Sequence, residues 1–79
     1  MARDYYAEAR ALAAKLTERG YGGWSEQLTG AIAAGATGTE IVMGLRWVLA
    51  QMLEKEDGLP ADLREEAGGL HRGLDRLLR

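Results

Sequence analysis

Apolar residues recur three or four positions apart along almost the whole chain, and this spacing constrains the fold more than any other feature. In the first segment, the apolar residues that share the spacing are Tyr5, Ala9, Leu12, Ala13 and Leu16. Such spacing places the side chains on one face of an α-helix, whereas a half-buried strand would alternate every second residue. The pattern therefore predicts an all-α fold.

Helix start and stop signals divide the chain into four predicted helices. Gly20 and Gly35 stand where the first two helices would end, and Pro60 suits the first turn of the fourth. Thr37 and Glu40 match a capping box, in which each side chain accepts a hydrogen bond from the other's backbone amide. The predicted helices cover residues 4–19, 24–34, 38–55 and 60–78 of a single domain of 79 residues. We expect a small four-helix bundle-like domain with the third helix at its centre.

The third predicted helix is more apolar than a helix that covers a core on one side needs to be. With residues about 100° apart around the axis, one stripe contains Ile41, Leu45, Val48, Leu49 and Met52. Met43, Trp47 and Ala50 fall on the far side of the helix. Three interpretations of this position are open: contact with other helices of the same chain, projection into a partner, or the lining of a small-ligand groove. Because Trp and Met are enriched in interface cores, we select Met43, Trp47 and Ala50 as candidate partner-binding residues.

The fourth predicted helix combines a regular apolar seam with internal glycines. The seam consists of Leu63, Ala67, Leu70, Leu74 and Leu77, spaced alternately by four and three residues, which is typical of packing along another helix. The helix also contains Gly68, Gly69 and Gly73, and each glycine costs about 1 kcal/mol relative to alanine in a helix interior. We therefore expect packing against other helices to stabilise this helix. Gly69 and Gly73 lie one turn apart and allow close backbone approach, either within the chain or across a dimer. They are the second group of candidate partner-binding residues, after Met43, Trp47 and Ala50.

The composition argues against several classes of site. The chain has no cysteine and a single histidine, His71, which excludes disulfides, thiolate metal sites and histidine-rich metal sites. Ser25 is the only serine, and nothing in the spacing pairs it with His71 as a nucleophile and its base. No glycine-rich segment follows a strand, as a nucleotide-binding loop would require. We expect no catalytic activity, no cofactor, no metal and no small-molecule substrate.

The charge balance disfavours nucleic acids and membranes as partners. The net charge is −2 and the isoelectric point about 5.3, so the overall field does not attract phosphate backbones or anionic lipid. The longest apolar stretch, residues 41–53, contains Arg46 and is too short to cross a bilayer. The first residues include acidic side chains that a signal peptide lacks, which favours a cytoplasmic location. Eight arginines against two lysines, with abundant alanine and glycine, are typical of a GC-rich bacterial coding sequence.

These features predict a protein–protein interaction module, in the form of a homodimer or an adaptor. A helix-turn-helix DNA-binding protein is one alternative, because Ala31, Gly35 and Ile41 have the spacing of such a unit. The segment from Ala31 to Arg46 nevertheless contains a single basic side chain, that of Arg46, together with the acidic Glu40. Binding to DNA phosphates requires several lysines or arginines, so this composition argues against the alternative. A small antitoxin-like or immunity-like accessory protein is the other alternative, on the basis of size, acidity and the lack of catalytic groups.

Overall fold

The computed structural model describes residues 3–79, which form four α-helices and confirm the all-α fold. The helices are α1 (Tyr5–Glu18), α2 (Gly22–Ala34), α3 (Gly38–Lys55) and α4 (Ala61–Leu77). α2 begins two residues earlier than predicted. α4 begins just after Pro60, whose ψ of 146° keeps it outside the helix, at the N-cap. None of the four helices within residues 3–79 combines the length and the apolarity needed to span a lipid bilayer.

Gly20 ends α1 as predicted. Its φ is +89°, a left-handed conformation that glycine adopts without steric cost. The amide of Gly20 donates to the carbonyl of Thr17, and the amide of Tyr21 donates to the carbonyl of Leu16. These two bonds form a Schellman motif, which satisfies the last carbonyls of the helix and turns the chain towards α2.

The predicted capping box at the start of α3 is half correct. The Thr37 hydroxyl accepts a hydrogen bond from the Glu40 amide at 3.2 Å, as predicted. The Glu40 carboxylate accepts a hydrogen bond from the Ala36 amide at 3.2 Å, whereas the capping-box pattern predicts that it accepts from the Thr37 amide. Glu40 therefore fixes the residue before the cap and ties the α2–α3 turn to the first turn of α3.

Each helix packs mainly against two others, so the four helices form a closed ring. Every helix packs on its successor along the chain, and α4 packs on α1. The predicted central position of α3 is not confirmed, because α3 is one of four helices arranged in the ring. It buries five residues, and α4 buries the same number. The buried residues of α3 are Val42, Leu45, Val48, Leu49 and Met52, and those of α4 are Leu63, Ala67, Leu70, Gly73 and Leu74.

The core is continuous and dominated by leucine. Its buried hydrophobic residues are Ala9, Leu12, Ala13, Leu16, Leu28, Val42, Leu45, Val48, Leu49, Met52, Leu59, Leu63, Ala67, Leu70 and Leu74. The predicted seam of α4 is thus buried as far as Leu74, but Leu77 lies in the last turn and is 53% exposed. Full burial of a leucine side chain contributes about 1.5–3 kcal/mol relative to exposure, so these contacts are the main stabilising term.

Candidate interaction surfaces

The outer face of α3 carries two large exposed hydrophobic side chains. Trp47 is 59% exposed and Met43 is 52% exposed, and their spacing of four residues places them one turn apart on the same face. Ala50, which is half-buried, continues this face towards the end of the helix. We call Met43, Trp47 and Ala50 the α3 strip. The other helices do not enclose Met43 and Trp47, so packing within the chain does not account for these two side chains.

Contacts to neighbouring helices fix both edges of the α3 strip. On the α2 side, a Cβ added to Gly44 would lie 3.3 Å from the Cβ of Ala31, so the two helices approach closely. On the α4 side, Arg46 donates a hydrogen bond to Asp75 at 2.9 Å. Because α3 is held on both sides, the strip lies on a defined surface of the bundle.

Gly69 and Gly73 make contacts within the chain, which is one of the two arrangements that the sequence left open. Gly73 is buried, and a Cβ there would lie 2.6 Å from the guanidinium of Arg3 and 2.6 Å from the ring of Tyr5. Gly69 is half-buried, and its carbonyl accepts a hydrogen bond from Arg3 at 3.4 Å. The two glycines therefore allow the start of α1 to pack closely on α4 within one chain.

A pocket opens at the end of the bundle where α1 begins and α4 ends. Its volume is about 480 Å³, and it is lined by Arg3, Asp4, Tyr5, Tyr6, Val42 and Leu77. Tyr5 and Tyr6 are half-buried and Leu77 is more than half exposed, so the walls are mainly aromatic and aliphatic. We call this the end pocket. The sequence does not reveal it, because its residues come from three helices and from the segment before α1, and no single helical pattern groups them.

Arg3 is held in place at the rim of the end pocket. Its guanidinium lies 4.8 Å from the centroid of the Tyr5 ring and donates to Glu8 at 2.6 and 2.8 Å. The hydrogen bonds that Arg3 donates to Glu8 raise the pKa of its guanidinium above the ordinary value. The rim therefore offers a positioned cation beside an aromatic wall.

The residues of the helix-turn-helix alternative serve roles in the fold. Thr37 and Glu40 cap α3, Val42 is buried, and Arg46, the one cation of that segment, is paired with Asp75. Phosphate recognition needs clustered lysines and arginines. The geometry of this segment adds no support to DNA binding.

Ser25 and His71, the residues considered for catalysis, occupy ordinary structural environments. Ser25 is buried at the α1–α2 contact, where its hydroxyl accepts from the Thr17 hydroxyl at 2.8 Å. His71 is a half-buried residue of α4. Among residues 3–79, no group of three or more histidine, aspartate or glutamate side chains is arranged to hold a metal ion.

The Asp75 carboxylate gives the α3–α4 contact a pH dependence. It accepts hydrogen bonds from Arg79 at 2.7 Å and from Arg46 at 2.9 Å, and these bonds hold the pKa of Asp75 below its ordinary value of 3.8. Because the folded pKa is depressed, the stabilisation is fully present above the unfolded pKa and is lost as the pH falls through the folded pKa.

We expect Asp75→Asn to reduce the loss of stability between neutral pH and about pH 3. Urea unfolding of the wild type and the variant at both pH values measures this difference. Asp57 is exposed and forms no ion pair within residues 3–79, so Asp57→Asn is the control and should retain the wild-type pH dependence. An Asp75→Asn protein with the wild-type acid sensitivity would contradict the assignment.

No known protein family, curated protein or solved structure matches the chain. The function is therefore inferred from the molecule's own surfaces. The two that stand out are the α3 strip, which projects apolar side chains, and the end pocket, which has aromatic and aliphatic walls.

Proposed function

We propose that the protein is a small, non-catalytic interaction module that self-associates through the α3 strip. The observation that carries the proposal is the exposure of Trp47 and Met43, at 59% and 52%, on a helix whose opposite face is buried. Tryptophan is among the most frequent hot-spot residues of protein interfaces, and methionine is enriched in their cores. Burial of these side chains in a partner removes apolar surface from water without changing the bundle.

A second copy of the chain is the occupant that size and charge favour. The net charge of −2 produces little repulsion between copies, and proteins with small net charge associate readily. A chain of about 80 residues buries only about 60–65% of the surface that it exposes when unfolded. Without cysteine, association is the remaining common way to stabilise so small a domain. We further propose that the protein is bacterial and cytoplasmic. The arginine-rich composition supports a bacterial origin, and the absence of cysteine is compatible with a reducing compartment.

Trp47→Glu is expected to convert the associated protein to a monomer. Loss of a hot-spot tryptophan costs about 2 kcal/mol or more, which weakens the dissociation constant at least about 30-fold. Light scattering at micromolar concentration should give about twice the chain mass for the wild type and the chain mass for the variant.

Ala33→Glu is the matched control, because it places the same charge at an exposed position of α2. It should leave the associated mass unchanged, and far-UV circular dichroism should show the same helix content in all three proteins. A wild type that remains a single chain across this concentration range would overturn the proposal. So would a Trp47→Glu protein that associates as tightly as the wild type.

A further inference from the structure

We propose that the end pocket is a binding site for a small, neutral aromatic molecule that carries a hydrogen-bond donor, as phenols and indoles do. The pocket shares no residue with the α3 strip, so this inference goes beyond the proposed self-association and does not depend on it. Leu77, which lines the pocket, is 53% exposed. A bound ring therefore covers apolar surface that the bundle itself leaves in contact with water.

The walls of the end pocket suit a flat apolar ring. The volume of about 480 Å³ falls within the range of roughly 300–1,000 Å³ that is usual for ligand pockets. Val42 and Leu77 provide aliphatic surface, and Tyr5 and Tyr6 provide aromatic surface. Because aromatic rings attract each other in edge-to-face or offset geometry, a planar aromatic ligand gains contacts that an aliphatic ligand of the same size lacks.

Contacts to other helices hold the two aromatic walls in place. The ring of Tyr5 lies against Gly73 of α4, where an added Cβ would be 2.6 Å from it, and the guanidinium of Arg3 lies over the same ring. The hydroxyl of Tyr6 lies beside the start of α3, 3.5 Å from the position of a Cβ added at Gly38. The pocket is therefore largely preformed, as ligand pockets usually are.

The charges at the rim of the pocket favour a neutral ligand. The guanidinium of Arg3 is paired with Glu8 at 2.6 Å. The carboxylate of Asp4 caps α1, where the positive end of the helix dipole compensates its charge. Both charges are thus balanced within the chain, so a charged ligand would lose hydration without gaining an unpaired counter-ion.

The Asp4 carboxylate favours a ligand with a hydrogen-bond donor. One of its oxygens accepts from the Ala7 amide at 3.0 Å, and no hydrogen bond found among residues 3–79 uses the other oxygen. An ionised carboxylate acts only as an acceptor, so this second oxygen can accept from the hydroxyl of a phenol or the ring N–H of an indole. Hydrogen bonds with one ionised partner are roughly twice as strong as neutral ones.

Four matched probes test the ligand class on the whole chain. Indole has the ring and the donor, 1-methylindole lacks the donor, and indole-3-acetate and tryptamine add a negative and a positive charge. We expect indole to bind with a dissociation constant of about 1 mM or tighter, which is within the usual affinity per atom of small ligands. The other three should bind at least about fivefold more weakly. NMR titration of backbone amides measures the affinities, and the shifts should centre on the end pocket.

Two variants test the residues assigned to the site. Leu77→Lys places a charge in the apolar wall, at the last turn of α4 where a cation suits the helix dipole, and should weaken indole binding at least about tenfold. Asp4→Asn keeps the N-cap, because asparagine caps as well as aspartate, but its remaining polar group is a donor. Indole should then lose its advantage over 1-methylindole. Met43→Ala, on the α3 strip, is the control and should bind indole as the wild type does.

Several results would overturn the inference. These are the absence of indole binding at its solubility limit, amide shifts centred on Met43 and Trp47, and binding of a charged probe as tight as that of indole. A chain that stays monomeric would overturn only the proposed self-association, because the end pocket belongs to a single copy. Circular dichroism checks that each variant is folded, and the Asp4→Asn comparison tests the site even if Leu77→Lys is unstable.

Discussion

Leu49→Ala is expected to lower the free energy of unfolding by about 2–5 kcal/mol. Leu49 is completely buried on the core face of α3, so the substitution removes apolar contacts and leaves a cavity that the bundle fills only in part. A chain of this length has a total stability of roughly 4–12 kcal/mol. The change therefore removes a large part of the total, and urea unfolding followed by circular dichroism will measure it.

Met43→Ala is the control for Leu49→Ala, because it shortens a hydrophobic side chain of the same helix on the exposed face. Met43 is 52% exposed, so little buried area is lost, and surface substitutions usually change stability by less than about 0.5 kcal/mol. The comparison requires a concentration at which the protein is monomeric. Similar losses for both variants would mean that the buried and exposed faces of α3 are wrongly assigned.

Gly35→Ala is expected to destabilise the protein by about 1–3 kcal/mol, as overpacking does. Gly35 ends α2 with φ of −72° and ψ of 128°, which alanine adopts easily, so backbone conformation is not the reason. A Cβ at this position would clash with the side chain of Ile41 and lie 3.0 Å from the Ile41 amide nitrogen. The backbone of the first turn of α3 cannot move away without loss of the Thr37 cap.

Gly30→Ala is the matched control, and we expect it to raise the free energy of unfolding where Gly35→Ala lowers it. Gly30 lies inside α2, and a Cβ there would meet nothing within 4 Å. Alanine is better than glycine in a helix interior by about 0.5–1 kcal/mol, so this variant should be more stable than the wild type. Chemical denaturation of both variants tests the pair, and a stabilised Gly35→Ala protein would refute the close approach of Gly35 to Ile41.

Local chemistry explains which helix ends could be predicted from the sequence. Gly20 and Thr37 act through bonds to residues within a few positions, so their patterns are visible in the chain. The start of α2 is different, because Tyr21 at the N-cap makes no side-chain capping bond. Its hydroxyl instead donates to the carbonyl of Gly58 at 3.2 Å, in the turn between α3 and α4. Contacts with a distant turn position this end, and no neighbouring residue signals them.

The buried faces were predictable, whereas the neighbours that cover them were not. Periodicity identified the apolar side of each helix and placed Met43 and Trp47 away from the main stripe of α3. It could not show that α3 packs mainly on α2 and α4, which leaves Met43 and Trp47 exposed. Gly73 illustrates the same limit, because the side chains that cover it, those of Arg3 and Tyr5, lie at the other end of the sequence. The end pocket depends on the same long-range packing.

The ring in which every helix packs on its successor also has a consequence for how fast the chain acquires its structure. Contacts between consecutive helices close only short loops, and proteins rich in such local contacts fold within about microseconds to milliseconds. The seam between α1 and α4 is the exception, because its contacts join residues 43 and 51 positions apart, so its formation closes the longest loop and carries the largest entropic cost. We therefore expect three helical hairpins to form early and the joining of first helix to last to limit the folding rate.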